Sequence, residues 1–210
     1  MVGQGVLREC LLDPGVTGVL TLGRGETVQQ HPKLREIVHA NLLDYSTLEP
    51  QLTGLNACYF CLGVTSTGKS EGEYRRITYD LTLAAATVLA RLNPNMVFIY
   101  VSGMGTDSSE QGRVMWARVK GETENALFRL PFRAAYAFRP AGIVPLHGIV
   151  SKTFAYRIGY SVLKPLLPFL ESRFPKYVTT TEKVGRAMLR VTREGAPRRV
   201  LENIDINRLA

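Results

Sequence analysis

The chain reads as an α/β domain built on a parallel sheet with helices on both faces. Three observations predict it. Short apolar runs rich in Val, Ile, Phe and Tyr alternate with stretches of helical periodicity along most of the 210 residues. No repeat or low-complexity linker breaks that alternation, so a single domain over 1–210 is expected, long enough to bury a real core. The runs Phe98–Gly105, Met115–Glu122 and Phe138–Ile143 read as a buried strand ending at small residues, a helix carrying one lysine, and a second strand ending at a proline.

The elements follow in order. Residues 2–12 form a helix, with Val6, Cys10 and neighbouring leucines on one side. Residues 18–22 are a strand, 36–39 a short one and 57–62 a third. A long helix covers 71–92 and stops before Asn93-Pro94, because proline disfavours a helical residue ahead of it. Residues 96–101 are a strand, 112–130 a helix and 134–138 another strand. Beyond them the alternation loosens. Helical stretches cover 154–163 and 181–192, and the chain closes with Val200-Leu-Glu202 and a final turn.

Composition narrows the function classes. Hydrophobic content of 45% and charged content of 21% are ordinary for a soluble globular protein. The net charge of +8 is uneven: residues 151–210 hold 12 Lys and Arg against 5 Asp and Glu, and the first 150 hold 14 against 13. Such a third attracts phosphates, nucleic acid or an anionic membrane, but solvated helix faces account for it more simply, so neither membrane nor nucleic acid is the expected partner. No run of about 18 apolar residues could span a bilayer, and residues 1–12, with Arg8 and Glu9, lack a signal-peptide core. The apolar run 162–170, interrupted by Pro165 and Pro168, reads as a loop and short helix over a pocket.

Cys58 and Cys61 have C-x-x-C spacing but lie in a strand-like run, where an odd separation sends the thiols to opposite faces. A redox pair needs them together, and zinc needs more ligands than Cys10 adds. They read as core, no metal is expected, and reduced, cytoplasmic surroundings fit best.

With those residues on the page, the chain resembles the atypical, extended short-chain dehydrogenase/reductases, in the branch of Tat-interacting oxidoreductase-like and nucleoside-diphosphate-sugar epimerase-like proteins. Leu22-Gly-Arg24, Cys61-Leu-Gly-Val-Thr65, Val119-Lys-Gly-Glu122, Phe138-Arg-Pro140 and the closing Leu201-Glu-Asn203 carry the likeness by order and spacing. It implies a Rossmann-like doubly wound sheet binding NAD(P), with 1–143 as cofactor-binding core and 144–210 as a small, variable substrate-side or lid region.

The start departs from that pattern. Such a sheet opens with a strand, a glycine-rich turn and a helix N-terminus that meets the pyrophosphate, whereas here the helix begins at once. That first strand is the central one, so its loss leaves two strands without a shared neighbour and backbone groups unpaired. The native start is therefore expected upstream. An upstream frame with a stop, no apolar strand and no Gly-x-x-Gly would defeat that expectation.

Family roles transfer residue by residue. Gly3 resembles the last glycine of the turn, and the two earlier ones have no counterpart. Arg24 follows the second strand, where an arginine rather than an acid favours a 2′-phosphate, hence NADP over NAD. Asn41 and Leu42 resemble the pair that touches adenine, and Asp44 is expected to cap the next helix. Cys61, Leu62 and Gly63 stand for the loop beneath the cofactor, and the resemblance sets Pro140 and Ile143 beside it.

The catalytic half differs. Lys120 matches the lysine that grips the ribose, but Trp116 stands where the family has its proton-transferring tyrosine. An indole N–H only donates and does not titrate near neutrality. Ser102 is the serine at the strand end, with Gly103 as the other alignment. Tyr74 and Tyr79 on the long helix, Tyr100 as core and His147 in a loop complete the candidate acids. The plainer reading of Lys120 is a surface lysine paired with Glu124 at i+4. Two functions follow: an NADP-dependent oxidoreductase or epimerase on a small molecule with a non-standard acid, or a non-catalytic NADP-binding module whose occupancy alters a protein contact.

Overall fold

The computed structural model describes residues 1–27, 29–149 and 173–210. Among them, α1 (Val2–Leu12) precedes two parallel strands, β1 (Val19–Gly23) and β2 (Leu34–Val38), paired from Val19–Leu34 to Gly23–Val38. A second, four-stranded parallel sheet runs in the order β3 (Ala57–Phe60), β4 (Val97–Val101), β5 (Ala134–Arg139), β8 (Val200–Glu202). Between β3 and β4 lie α2 (Glu71–Arg75), a π-helical turn (Arg76–Asp80) and α3 (Leu81–Leu92), and α4 (Met115–Leu127) joins β4 to β5. A short pair, β6 (Gly142–Val144) and β7 (Val178–Thr180), then α5 (Thr181–Glu194) and α6 (Asn203–Leu209) complete the described elements. The expected stretch 154–163 and the apolar run 162–170 lie outside the described residues.

Side-chain alternation shows that the two sheets lie in one layer. Val97 and Ile99 join Val6, Met188, Val184 and Leu201 in one core, while Phe98 and Tyr100 join Ala86, Leu89 and Leu127 in the other. Both β1 and β3 feed those same cores: Val19 and Tyr59 one, Leu20, Leu22, Cys58 and Phe60 the other. Yet β1 and β3 do not pair, and among the described residues no strand lies between them. The order is that of a Rossmann-like doubly wound sheet lacking its first, central strand.

The element readings hold with shifted ends. Serine at 70 caps the long helix in a full capping box with Glu73, and Asn93 closes it, its side-chain amide donating to the Leu52 carbonyl at 2.8 Å. The cysteines are free, and Cys58 and Cys61 pack into opposite cores as strand parity requires. Burial first, then neighbouring groups, pushes the thiols of Cys10, Cys58 and Cys61 up to about 12, so none is a thiolate near neutrality. Asp44 caps no helix. Its carboxylate accepts the Ser46 N–H at 2.9 Å in a turn, because the following 3-10 turn (Glu49–Gln51) starts only after Leu48.

Helix α1 crosses α5 at closest approach through two glycines. A Cβ on Gly5 would lie 2.6 Å from Thr181 Cβ, and one on Gly185 would lie 2.7 Å from Glu9 Cγ. Glu9, buried at that crossing, is held by Arg8 at 2.5 Å and Arg186 at 3.3 Å. No helix among the described residues is long and apolar enough to cross a membrane.

Candidate functional site at the carboxyl edge of the sheet

The parallel strands end on one edge, where the turns after them are the usual place for a ligand in open α/β sheets. On this edge β4 ends at Val101 and hands the chain to Ser102 and Gly103. Gly103 adopts φ +154, a conformation that side chains rarely allow, while the Met104 N–H donates to the Pro140 carbonyl at 2.9 Å. That bond locks the ends of β4 and β5 together, so Pro140, expected beside the cofactor, borders Ser102.

Lys120 reaches this edge from α4. Its ammonium donates to the Ser102 carbonyl at 2.5 Å and lies 5.9 Å from the Tyr100 ring centre. Loss of water around the ammonium lowers its pKa from 10.5 to about 8, with the Glu124 carboxylate pulling the other way. The i+4 pair with Glu124 is not made. Glu124 is completely buried and is taken by Arg139, whose Nε and Nη2 donate to it at 3.0 and 2.5 Å. Arg139 also reaches Ser108 Oγ at 2.6 Å and Glu202 at 3.3 Å.

Ser102 is buried, and its hydroxyl donates to Glu124 Oε1 at 2.5 Å. It thus presents its carbonyl to the lysine and its hydroxyl to the internal ion pair. Trp116, one turn before Lys120, is half-buried with its ring edge against Gly105, whose Cβ position lies 3.5 Å from Trp116 Cη2. Gly105 sits at φ +87. The loop from Gly103 to Gly112 straps onto α4 at Gly121, where any Cβ would lie 1.7 Å from the Asp107 carbonyl oxygen. This explains the glycine of Val119-Lys-Gly-Glu122. Glu122 beside it clasps Arg75 at 2.6 and 3.1 Å and fixes α4 to α2.

The other expected residues spread along the same edge. Gly3 backs onto Cys61, with its Cβ position 3.4 Å from Cys61 Cβ. Gly63, after Leu62, has open space where a side chain would stand. Arg24 is exposed just past β1 and makes no ion pair among the described residues. Asn41 is exposed and accepts the Leu43 N–H at 3.2 Å, whereas Leu42 is buried. Ile143 is buried in β6 opposite Thr179. Of the candidate acids, Tyr74 and Tyr100 are buried, and Tyr79 lies under the Arg75 guanidinium at 4.2 Å. His147 binds Glu182 at 2.5 Å. The Glu124–Arg139 pair was missed in the sequence, although a carboxylate one turn after Lys120 and an arginine ending a buried strand were available signals.

A nicotinamide dinucleotide fits what is present. Lys120 offers a donor at one end of the edge, Arg24 a guanidinium with no ion pair among the described residues at the other, and Gly63 an unobstructed floor. Among the described residues no cluster of His, Cys, Asp and Glu could hold a metal.

Solved structures agree on the fold. The chain is similar to UDP-glucose 4-epimerase from Thermotoga maritima, crystallised with UDP-glucose (TM-score 0.65, 14% identity, 96% of this chain and 72% of that one). It is similar to L-threonine dehydrogenase from Clostridium difficile (TM-score 0.68, 8% identity, 96% and 72%). It is also similar to the Bordetella bronchiseptica enzyme WbmF in complex with NAD+ (TM-score 0.60, 13% identity, 99% and 73%). At these identities the likeness shows the fold alone, a Rossmann-like parallel sheet, over just under three quarters of those chains. No family model matches the sequence, and no curated protein matches it.

Proposed function

We propose that the chain binds a nicotinamide dinucleotide along the carboxyl edge of its sheet and acts as an oxidoreductase or epimerase on a small molecule. The observation that carries the reading is Lys120, a partly desolvated ammonium anchored on the Ser102 carbonyl where β4 ends. In this reading Lys120 holds the nicotinamide ribose, and Gly3, Cys61, Leu62, Gly63, Pro140 and Ile143 border the cofactor. Asn41 and Leu42 flank adenine, and Arg24 meets the 2′-phosphate that distinguishes NADP from NAD. The bound cofactor would supply the hydride. Of Ser102, Trp116 and Lys120, only Lys120 can exchange a proton near neutrality.

A second reading has its own support. The Trp116 indole does not titrate, and the Ser102 hydroxyl is committed to Glu124. Both favour a non-catalytic dinucleotide-binding module within the Tat-interacting-like branch. Turnover of NADPH across a carbonyl panel separates the two: consumption supports the enzyme, and binding without consumption supports the module. For the cofactor, Arg24→Ala should weaken NADPH binding roughly 10–100-fold, the worth of a charge-assisted hydrogen bond, and leave NADH nearly unchanged. Equal losses would remove the case for NADP.

A further inference from the structure

The opposite, amino-terminal edge of the four-stranded sheet carries a cleft that the dinucleotide reading does not use. It lies where β5 and β8 begin and has a volume of about 210 Å³. Arg133, Arg198 and Arg199 form its charged wall, with Tyr136, Ala196 and Pro197 beside them. Five residue steps of β5, at ~3.3 Å each, set it about 17 Å from the Arg139 end.

Among the described residues, none of the three guanidiniums has a carboxylate within 4.0 Å. The acids close in sequence are taken elsewhere: Glu194 by Arg190 at 2.9 Å and Asp13 by Arg193 at 2.6 Å. Two of the three are also held in place. Arg133 Nη2 donates to the Thr192 carbonyl at 3.1 Å, and Arg199 Nη1 donates to the Phe128 carbonyl at 3.2 Å while lying over the Phe128 ring. Among the described residues Arg198 makes no side-chain hydrogen bond or ion pair. Below them Tyr136 is nine-tenths buried, and its hydroxyl accepts the Ala196 N–H at 3.3 Å, which leaves its own proton to give.

We infer that this cleft is a binding site for a phosphate group carrying two or more negative charges. Three exposed guanidiniums on one wall raise the local positive potential, and a single carboxylate would neutralise only one. Guanidinium forks match phosphate oxygens two at a time, and the Tyr136 hydroxyl adds a neutral donor at the base. The volume is below that of a site for a whole drug-sized ligand, so it suits a phosphoryl or pyrophosphoryl group rather than an entire nucleotide.

The test is calorimetric titration of the chain with pyrophosphate and inorganic phosphate at physiological ionic strength. Parallel arms use duplex DNA and phosphatidylcholine vesicles with and without phosphatidic acid. Arg198→Ala removes a side chain without a hydrogen bond or ion pair among the described residues, and Arg129→Ala, exposed and outside the cleft wall, removes the same charge. Pyrophosphate should bind saturably, roughly tenfold or more weakly to the Arg198 variant and within about twofold of wild type to the Arg129 variant. Tyr136→Phe, with its fold checked by circular dichroism, should also weaken it. Absence of pyrophosphate binding overturns the inference. So do equal losses in the two arginine variants, or preference for DNA or vesicles, since each describes a diffuse basic surface.

Discussion

Lys120 should make the protein's stability depend on pH in a particular direction. Its ammonium, desolvated at the end of β4, has a pKa near 8 in the fold against 10.5 free. Below pH 8 both states are protonated, and the full cost of carrying the charge is present. As pH rises from 8 to 10.5 the folded lysine loses its proton while the unfolded chain keeps it, so this contribution raises stability with pH. The difference of about 2.5 units corresponds to at most ~3 kcal/mol, of which ~1.4 kcal/mol is regained by pH 9. The perturbation is Lys120→Met, and the assay is urea unfolding of both proteins from pH 7 to 10. The cysteines, held up to about 12, act oppositely above the free thiol range, but equally in both proteins, so they cancel in the difference. Wild type should gain on the variant by ~1 kcal/mol or more between pH 7 and 9. Parallel profiles would refute the claim that this ammonium is held against its own solvation.

Glu124→Ala leaves Arg139 almost buried with Ser108 Oγ and, as its one carboxylate among the described residues, Glu202 at 3.3 Å, and should cost ~3–5 kcal/mol by chemical denaturation. A loss under ~1 kcal/mol would mean that the pair behaves as a solvated one. Gly5→Ala drives a methyl into Thr181 and should lower stability by ~1–3 kcal/mol, where an open helix surface would gain about 1; thermal unfolding decides the sign. Trp116→Tyr restores a titratable phenol one turn before Lys120, and should raise NADPH-dependent turnover on a carbonyl panel at least severalfold. No change on any substrate counts against a position-for-position replacement.

What the sequence disclosed was local. Strand parity placed Cys58 and Cys61 in opposite cores, and the Asn93-Pro94 break ended the long helix where the structure ends it. That β1 and β3 do not pair among the described residues was expected from the missing strand between them. What stayed hidden were pairings between distant residues. Nothing near Gly5 or Gly185 in the sequence marks them as the contact between α1 and α5, because each is explained only by the other helix. Lys120 and Glu124 have the spacing of a helical ion pair, yet Arg139, fifteen residues further on, takes the carboxylate and leaves the lysine to the Ser102 carbonyl. The β6–β7 pair joins segments too short and too far apart to announce themselves.

The most direct test uses the chain's single tryptophan, which sits on the lysine helix as a built-in reporter. Titrating the protein with NADPH while following Trp116 emission should give a saturable change that Lys120→Met weakens at least tenfold. If neither NADPH nor NADH alters that emission, and neither coenzyme is retained in equilibrium dialysis, then no coenzyme lies along the sheet's carboxyl edge.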